Sequence, residues 1–187
     1  MKTIKDKQIL VAADFAAVEL KDAVVAVLEK KGWTVTDIGI KDVNDPHPEM
    51  FHRIGIKVGA KIAEREFERA LIFCGTGMGI HIAASKCPHV HAAVVESIPS
   101  ALRCITGNNC NVMSMGAHYV AHETGIAMAL AFLEHKLGDG YENQENWYEF
   151  HQFAYDELEA FDYEEFKKNG FEFPPMEEIV IGPNPDR

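Results

Sequence analysis

Positive charge is scarce in this chain. Lys and Arg number 18 against 29 Asp and Glu, a formal net charge of -11. That balance repels phosphate backbones and anionic membrane surfaces, and so argues against nucleic acid or a membrane as partner. No apolar run is long enough to span a bilayer. The four cysteines, Cys74, Cys87, Cys104 and Cys110, contain no C-x-x-C pair, so neither a zinc site nor a thioredoxin-like site is expected. A Gly-Lys-Ser/Thr phosphate loop is missing as well. The first residues, Met1 to Lys7, lead straight into a strand-like run without a signal-peptide apolar region. Reduced thiols and a cytoplasmic location are therefore expected.

What is present is an alternation of strands and helices within 187 residues, 47% of them hydrophobic, enough for one α/β domain with a full core and some added structure. Gln8 to Ala13 reads as a buried strand ending at Asp14. A helix over about 17–31 follows, with Val18, Leu20, Val24, Val25 and Leu28 on one stripe, and Gly32 stops it. Further strands are predicted over 33–40, 69–74, 91–95 and 112–115, and further helices over about 49–65, 79–86, 100–106 and 121–137. Strands separated by helices imply a doubly wound parallel sheet, with a ligand beyond the carboxyl ends of its strands. That rim would hold Asp14, Cys74, Glu96 and Gly116. Residues 1–140 form this domain. Residues 141–187 are an acidic, aromatic C-terminal extension, helical from Trp147 to at least Lys168, that packs on the domain or on a partner subunit.

The strongest local signal is Cys74-Gly75-Thr76-Gly77-Met78-Gly79, a strand end followed by three spaced glycines and a helix start. Glycine allows a tight turn and close approach of a ligand. The helix start directs free N–H groups to the point where an oxyanion would develop, and a sulfur placed there is more readily a thiolate. A thiolate beside an oxyanion site can remove a proton from carbon next to a carbonyl. By spacing alone, a buried cysteine and a simple tight turn explain the same residues equally well. The pattern is not G-x-G-x-x-G, so a dinucleotide is not expected.

The stretch from Cys74 to Val95, with Ile80-His81-Ile82-Ala83-Ala84-Ser85-Lys86 after the glycines, resembles the ribose-5-phosphate isomerase B / galactose-6-phosphate isomerase family. Ala12-Ala13-Asp14 with Glu19-Leu20-Lys21, and Asn108-Asn109-Cys110-Asn111-Val112 with Met115-Gly116-Ala117, resemble it in the same order, over roughly 8–140. The resemblance implies a flavodoxin-like five-stranded sheet, a homodimer or homotetramer with active sites at the subunit interface, and no metal or organic cofactor. It implies aldose–ketose isomerisation of a sugar or sugar phosphate through an enediolate. Cys74 would be the base. Thr76 and the N–H groups from Gly75 through Gly77 and Met78 to Gly79 would hold the negative oxygen. Asp14 would bind sugar hydroxyls, with Phe15 beside it, and Asn108 would contact the substrate.

Three departures touch the substrate. Phe15 and Gly107 stand where the family has histidines, and the stretch 138–147 lacks the arginines that grip phosphate. His47, in the loop before the second helix, is the candidate acid for ring opening. Arg53, His47, Arg103 and His118 are candidate phosphate partners, and otherwise the substrate is a different or unphosphorylated sugar. His89 and His91 are expected to be structural or superficial, and His81 to be either exposed or ligand-facing. The losses also admit another class of function, a catalytically reduced sugar-binding subunit that partners an active homologue.

Overall fold

The computed structural model describes residues 1–174; the end of the C-terminal extension, including Gly182-Pro183, lies outside them. Five parallel strands form one sheet: β1 (Gln8–Ala13), β2 (Thr34–Asp37), β3 (Ala70–Cys74), β4 (Ala92–Val94) and β5 (Val112–Gly116). Alternate residues of β1 feed the two faces. Ile9, Val11 and Ala13 join one core with α1 (Val18–Lys30), α4 (Ile98–Thr106) and α5 (His122–Leu133). Leu10 and Ala12 join the other with α2 (Phe51–Ala63) and α3 (Met78–Ala84). Burial on both faces explains why β1 and β3 read as continuous apolar runs rather than alternating ones. The doubly wound, flavodoxin-like sheet expected from sequence is present.

Strand order is β2-β1-β3-β5-β4, which exchanges the last two strands of the flavodoxin order. The exchange places β5 directly beside β3, with Cys74 opposite Gly116 in register. The chain reverses its direction of winding between β1 and β3, so the crevice expected to hold a ligand opens beside Asp14 and Cys74.

Three elements differ from the sequence expectation, and the first is α5, which ends at Leu133 with Glu134 as its cap rather than running to 137. β2 is a regular strand only over Thr34–Asp37, where the Asp37 carboxylate accepts the N–H of Gly39 at 2.9 Å, yet the N–H groups of Ile38 and Ile40 still reach the Val11 and Ala13 carbonyls at 3.1 and 2.9 Å, so the chain follows β1 as far as Ile40. The tail helix is broken into α6 (Trp147–Glu159) and α7 (Tyr163–Lys168), where Asp162 accepts the N–H of Glu165 and starts the second helix. α6 lies near the amino end of β4, with Glu159 2.7 Å from His89 and the Tyr155 ring 4.7 Å from that of His91. No helix of the described residues is long and apolar enough to cross a membrane.

Candidate active site

The rim is assembled from the ends of β1, β3 and β5. The Asp14 N–H bonds the Phe73 carbonyl at 3.2 Å, carrying the β1–β3 ladder one residue past the strand. The Asp14 carboxylate then accepts the N–H of Ala16 at 3.0 Å and starts a 3-10 turn over Phe15–Ala17. This is ordinary capping chemistry, yet the side chain is only 4% exposed. Burial pushes its carboxyl up from the ordinary range, while the Ala16 N–H and the charge of His118 pull the other way. Phe15, next along, is half exposed on the same rim.

Cys74 ends β3 and is 4% exposed. Its Sγ accepts the N–H of Gly77 at 3.1 Å. The chain folds around the sulfur because Gly77 takes φ +74, a conformation that strains residues with a Cβ. Ser114, fully buried in β5, donates to the Gly77 carbonyl at 2.5 Å and anchors the turn from below. The Thr76 hydroxyl accepts the N–H of Met78 at 3.3 Å. Two of the N–H groups expected to hold an oxyanion, those of Gly77 and Met78, are thus turned toward the sulfur and the threonine. Those of Gly79 and Ile80, in the first turn of α3, have no intrahelical acceptor.

The three glycines answer to three neighbours. A Cβ on Gly75 would lie 2.5 Å from Nε2 of His118. One on Gly77 would lie 2.9 Å from the Met115 backbone, and one on Gly79 2.5 Å from the Phe51 ring. The Gly79–Phe51 contact brings the start of α2, and the loop before it, to the rim. His47 sits in that loop with an exposed side chain, its own N–H bound by Asp45 at 2.8 Å.

Asp14, Phe15, Cys74, Gly75, Thr76, Gly77, Met78 and Gly79 therefore share one end of the sheet. Asn108 does not. It follows α4, at the amino end of β5, and donates to the Arg103 carbonyl at 3.4 Å. The five residues of β5 separate that end from Gly116, roughly 16 Å at 3.3 Å per residue. Asn108 instead lines a cavity of about 440 Å³ with Gly107, His91, His151 and Tyr155. Arg103 is at that end too, its guanidinium 4.5 Å from the Tyr141 ring and 4.9 Å from that of Trp147. A broad groove of about 1000 Å³ lined by Arg69, Lys136 and the 138–149 stretch also lies away from Cys74.

Two rim residues carry more than sequence reasoning gave them. Ser114 was legible as the lone hydroxyl inside Val112-Met113-Ser114-Met115. His118, considered only as a phosphate partner, is drawn over the site by its own N–H bond to the Gly75 carbonyl at 2.9 Å, next to that of Ala117 to Cys74 at 3.0 Å.

The family model described as Ribose/Galactose Isomerase matches residues 9–150. The 4-deoxy-4-sulfo-D-erythrose isomerase of Clostridium sp. (strain MSTE9) is 38% identical over 140 residues, 75% of this chain and 85% of that protein. The D-erythrulose-4-phosphate isomerase 2 of Mycolicibacterium smegmatis is 31% identical over 133 residues, 70% of this chain and 84% of that one. Among solved structures, ribose-5-phosphate isomerase B of Clostridium thermocellum superposes with a TM-score of 0.71 at 24% identity, over 87% of this chain and 99% of that chain.

Proposed function

The chain belongs to the ribose/galactose isomerase family, whose reaction is aldose–ketose isomerisation, and we propose that its substrate is a four-carbon sugar ending in an anionic group, isomerised with Cys74 as the carbon base. The observation that carries the mechanism is the Cys74 sulfur at the end of β3, held by the Gly77 N–H and facing the winding reversal beside Asp14. As a thiolate, Cys74 removes the C2 proton of the aldose and returns a proton to C1, giving the ketose. The Gly79 and Ile80 N–H groups and the Thr76 hydroxyl stabilise the oxygen that becomes negative. Asp14 receives a sugar hydroxyl.

Two relatives, at 38% and 31% identity, are named for four-carbon substrates with a 4-sulfo or a 4-phosphate group. The stretch 138–147 holds no Lys or Arg. A sulfonate, with one negative charge, needs less countercharge than a phosphate with nearly two, so 4-deoxy-4-sulfo-D-erythrose is the first probe.

The active form in this reading is a homodimer or homotetramer whose sites are shared between subunits. Two observations support it. Asn108 lies at the opposite end of the sheet from Cys74 in its own chain, and Phe15, Met78, Ile82 and Tyr119 expose apolar side chains on the rim and along α3. Residues beyond 140 are an appendage of the one catalytic domain.

The test is proton exchange. Cys74→Ala should stay folded, losing about 1–3 kcal/mol with the acceptor of the buried Gly77 N–H, and lose both ketose formation and solvent deuterium uptake at C2, read by NMR. A fully active variant refutes Cys74 as base. Turnover by the purified chain alone removes the rival reading of a binding subunit.

A further inference from the structure

Isomerisation moves two protons, and Cys74 moves only the one on carbon. The other must pass from the C2 hydroxyl to the C1 oxygen. We infer that His118 moves this oxygen-bound proton, acting as acid and base toward O1 and O2 beside Cys74.

Four observations on His118 converge. Its backbone is tied to the glycine turn by the bond to the Gly75 carbonyl. Its Nε2 rests on the bare Cα of Gly75, one residue from the sulfur, in space that any side chain at position 75 would take. Its charge interacts with the buried Asp14 carboxylate across the β1–β3 crevice. The side chain is also exposed rather than sealed into the core, so a substrate can reach it. Of the other titratable groups, the Tyr119 ring stands 6.4 Å away, edge to face, and His47 lies in the loop before α2. The three atoms nearest a Cβ built on Gly75 all belong to the His118 ring.

The proton balance closes without a further reactant. Cys74 thiolate takes the C2 proton, the C–H pair forms the C1=C2 bond, and the carbonyl π pair moves to O1. The His118 imidazolium gives its proton to O1, leaving an enediol and a neutral imidazole. That imidazole takes the O2 proton while the Cys74 thiol protonates C1 and C2 becomes the carbonyl. Both side chains end as they began. Asp14, as a carboxylate, stabilises the imidazolium that starts the cycle.

This role rests on the Cys74 reading above, and the experiment separates the two. Wild type, Cys74→Ala, His118→Gln and His118→Phe are incubated with 4-deoxy-4-sulfo-D-erythrose in D2O, with ketose formation and C2 deuterium in the recovered aldose followed together. Both His118 variants should keep the wild-type unfolding midpoint, because the side chain is exposed. Their kcat for ketose formation should fall by about 10²-fold, the scale of a lost acid–base group, with KM nearly unchanged. Deuterium should still enter the aldose through Cys74, so exchange should outrun ketose formation by more in these variants than in wild type. A His118→Gln enzyme with wild-type kcat overturns the role. So does one whose loss lies in KM alone, which would make His118 an anchor for the anionic end. A wild type that forms ketose with no solvent deuterium at C1 or C2 overturns the Cys74 proton-transfer reading and this role with it.

Discussion

Lys21→Met tests how the loop beside the site is held. Lys21 is 1% exposed inside the second half of the first α/β unit, and its ammonium reaches the Asp37 carboxylate at 2.7 Å and the Ile40 carbonyl at 3.1 Å. Ile40 in turn donates to the Ala13 carbonyl, one residue before Asp14, at 2.9 Å. The contact to Asp22 at 3.1 Å involves a carboxylate 62% exposed and contributes little. Removing one member of a fully buried ion pair costs about 3–5 kcal/mol. The Asp37 side chain is 18% exposed and keeps the Gly39 N–H, which lowers the expected loss to about 2–3 kcal/mol. At about 2–4 °C per kcal/mol for a chain of this size, the unfolding midpoint should fall by roughly 4–12 °C. The double variant Lys21→Met/Asp37→Asn should recover part of that, since no unpaired charge remains. Differential scanning calorimetry reads both. An unshifted single variant, or a double variant less stable than the single, refutes the claim that the pair organises this loop.

Other perturbations act on the turn and the rim. Ser114→Ala leaves the Gly77 carbonyl with only its bond from the first turn of α3 and should lose about 0.5–1.5 kcal/mol in urea unfolding, with turnover falling because the turn that holds the Cys74 sulfur loosens. Asp14→Asn keeps an acceptor for the Ala16 N–H. Because burial raises the Asp14 carboxyl, the fold binds this proton more tightly than the unfolded chain does, and the stability it brings is lost as pH rises through the folded value. The Asn variant should therefore match wild type below about pH 4 and be the more stable of the two at neutral pH, while its turnover drops. Equal pH dependence of the two unfolding midpoints would contradict the burial argument.

Local features were legible in the order of the amino acids. Period and composition placed every strand and nearly every helix, because apolar runs such as Ile9 to Ala13 and Ala70 to Phe73 are legible without knowing their neighbours. The same holds for the turn after Cys74, since alternating glycines between a strand and a helix leave few other conformations. Rim positions for Asp14 and Cys74 followed from the parallel connection rule alone. Tertiary structure decided what no window of residues contains. Only the insertion of β5 between β3 and β4 sets Gly116 against Thr76 and folds His118 onto Gly75, because strand order depends on packing across the whole sheet. The same packing buries Asp14 and so shifts its carboxyl, an effect of surroundings rather than residue type. It also puts His91 and Tyr155 around Asn108, at the end of the sheet away from Cys74.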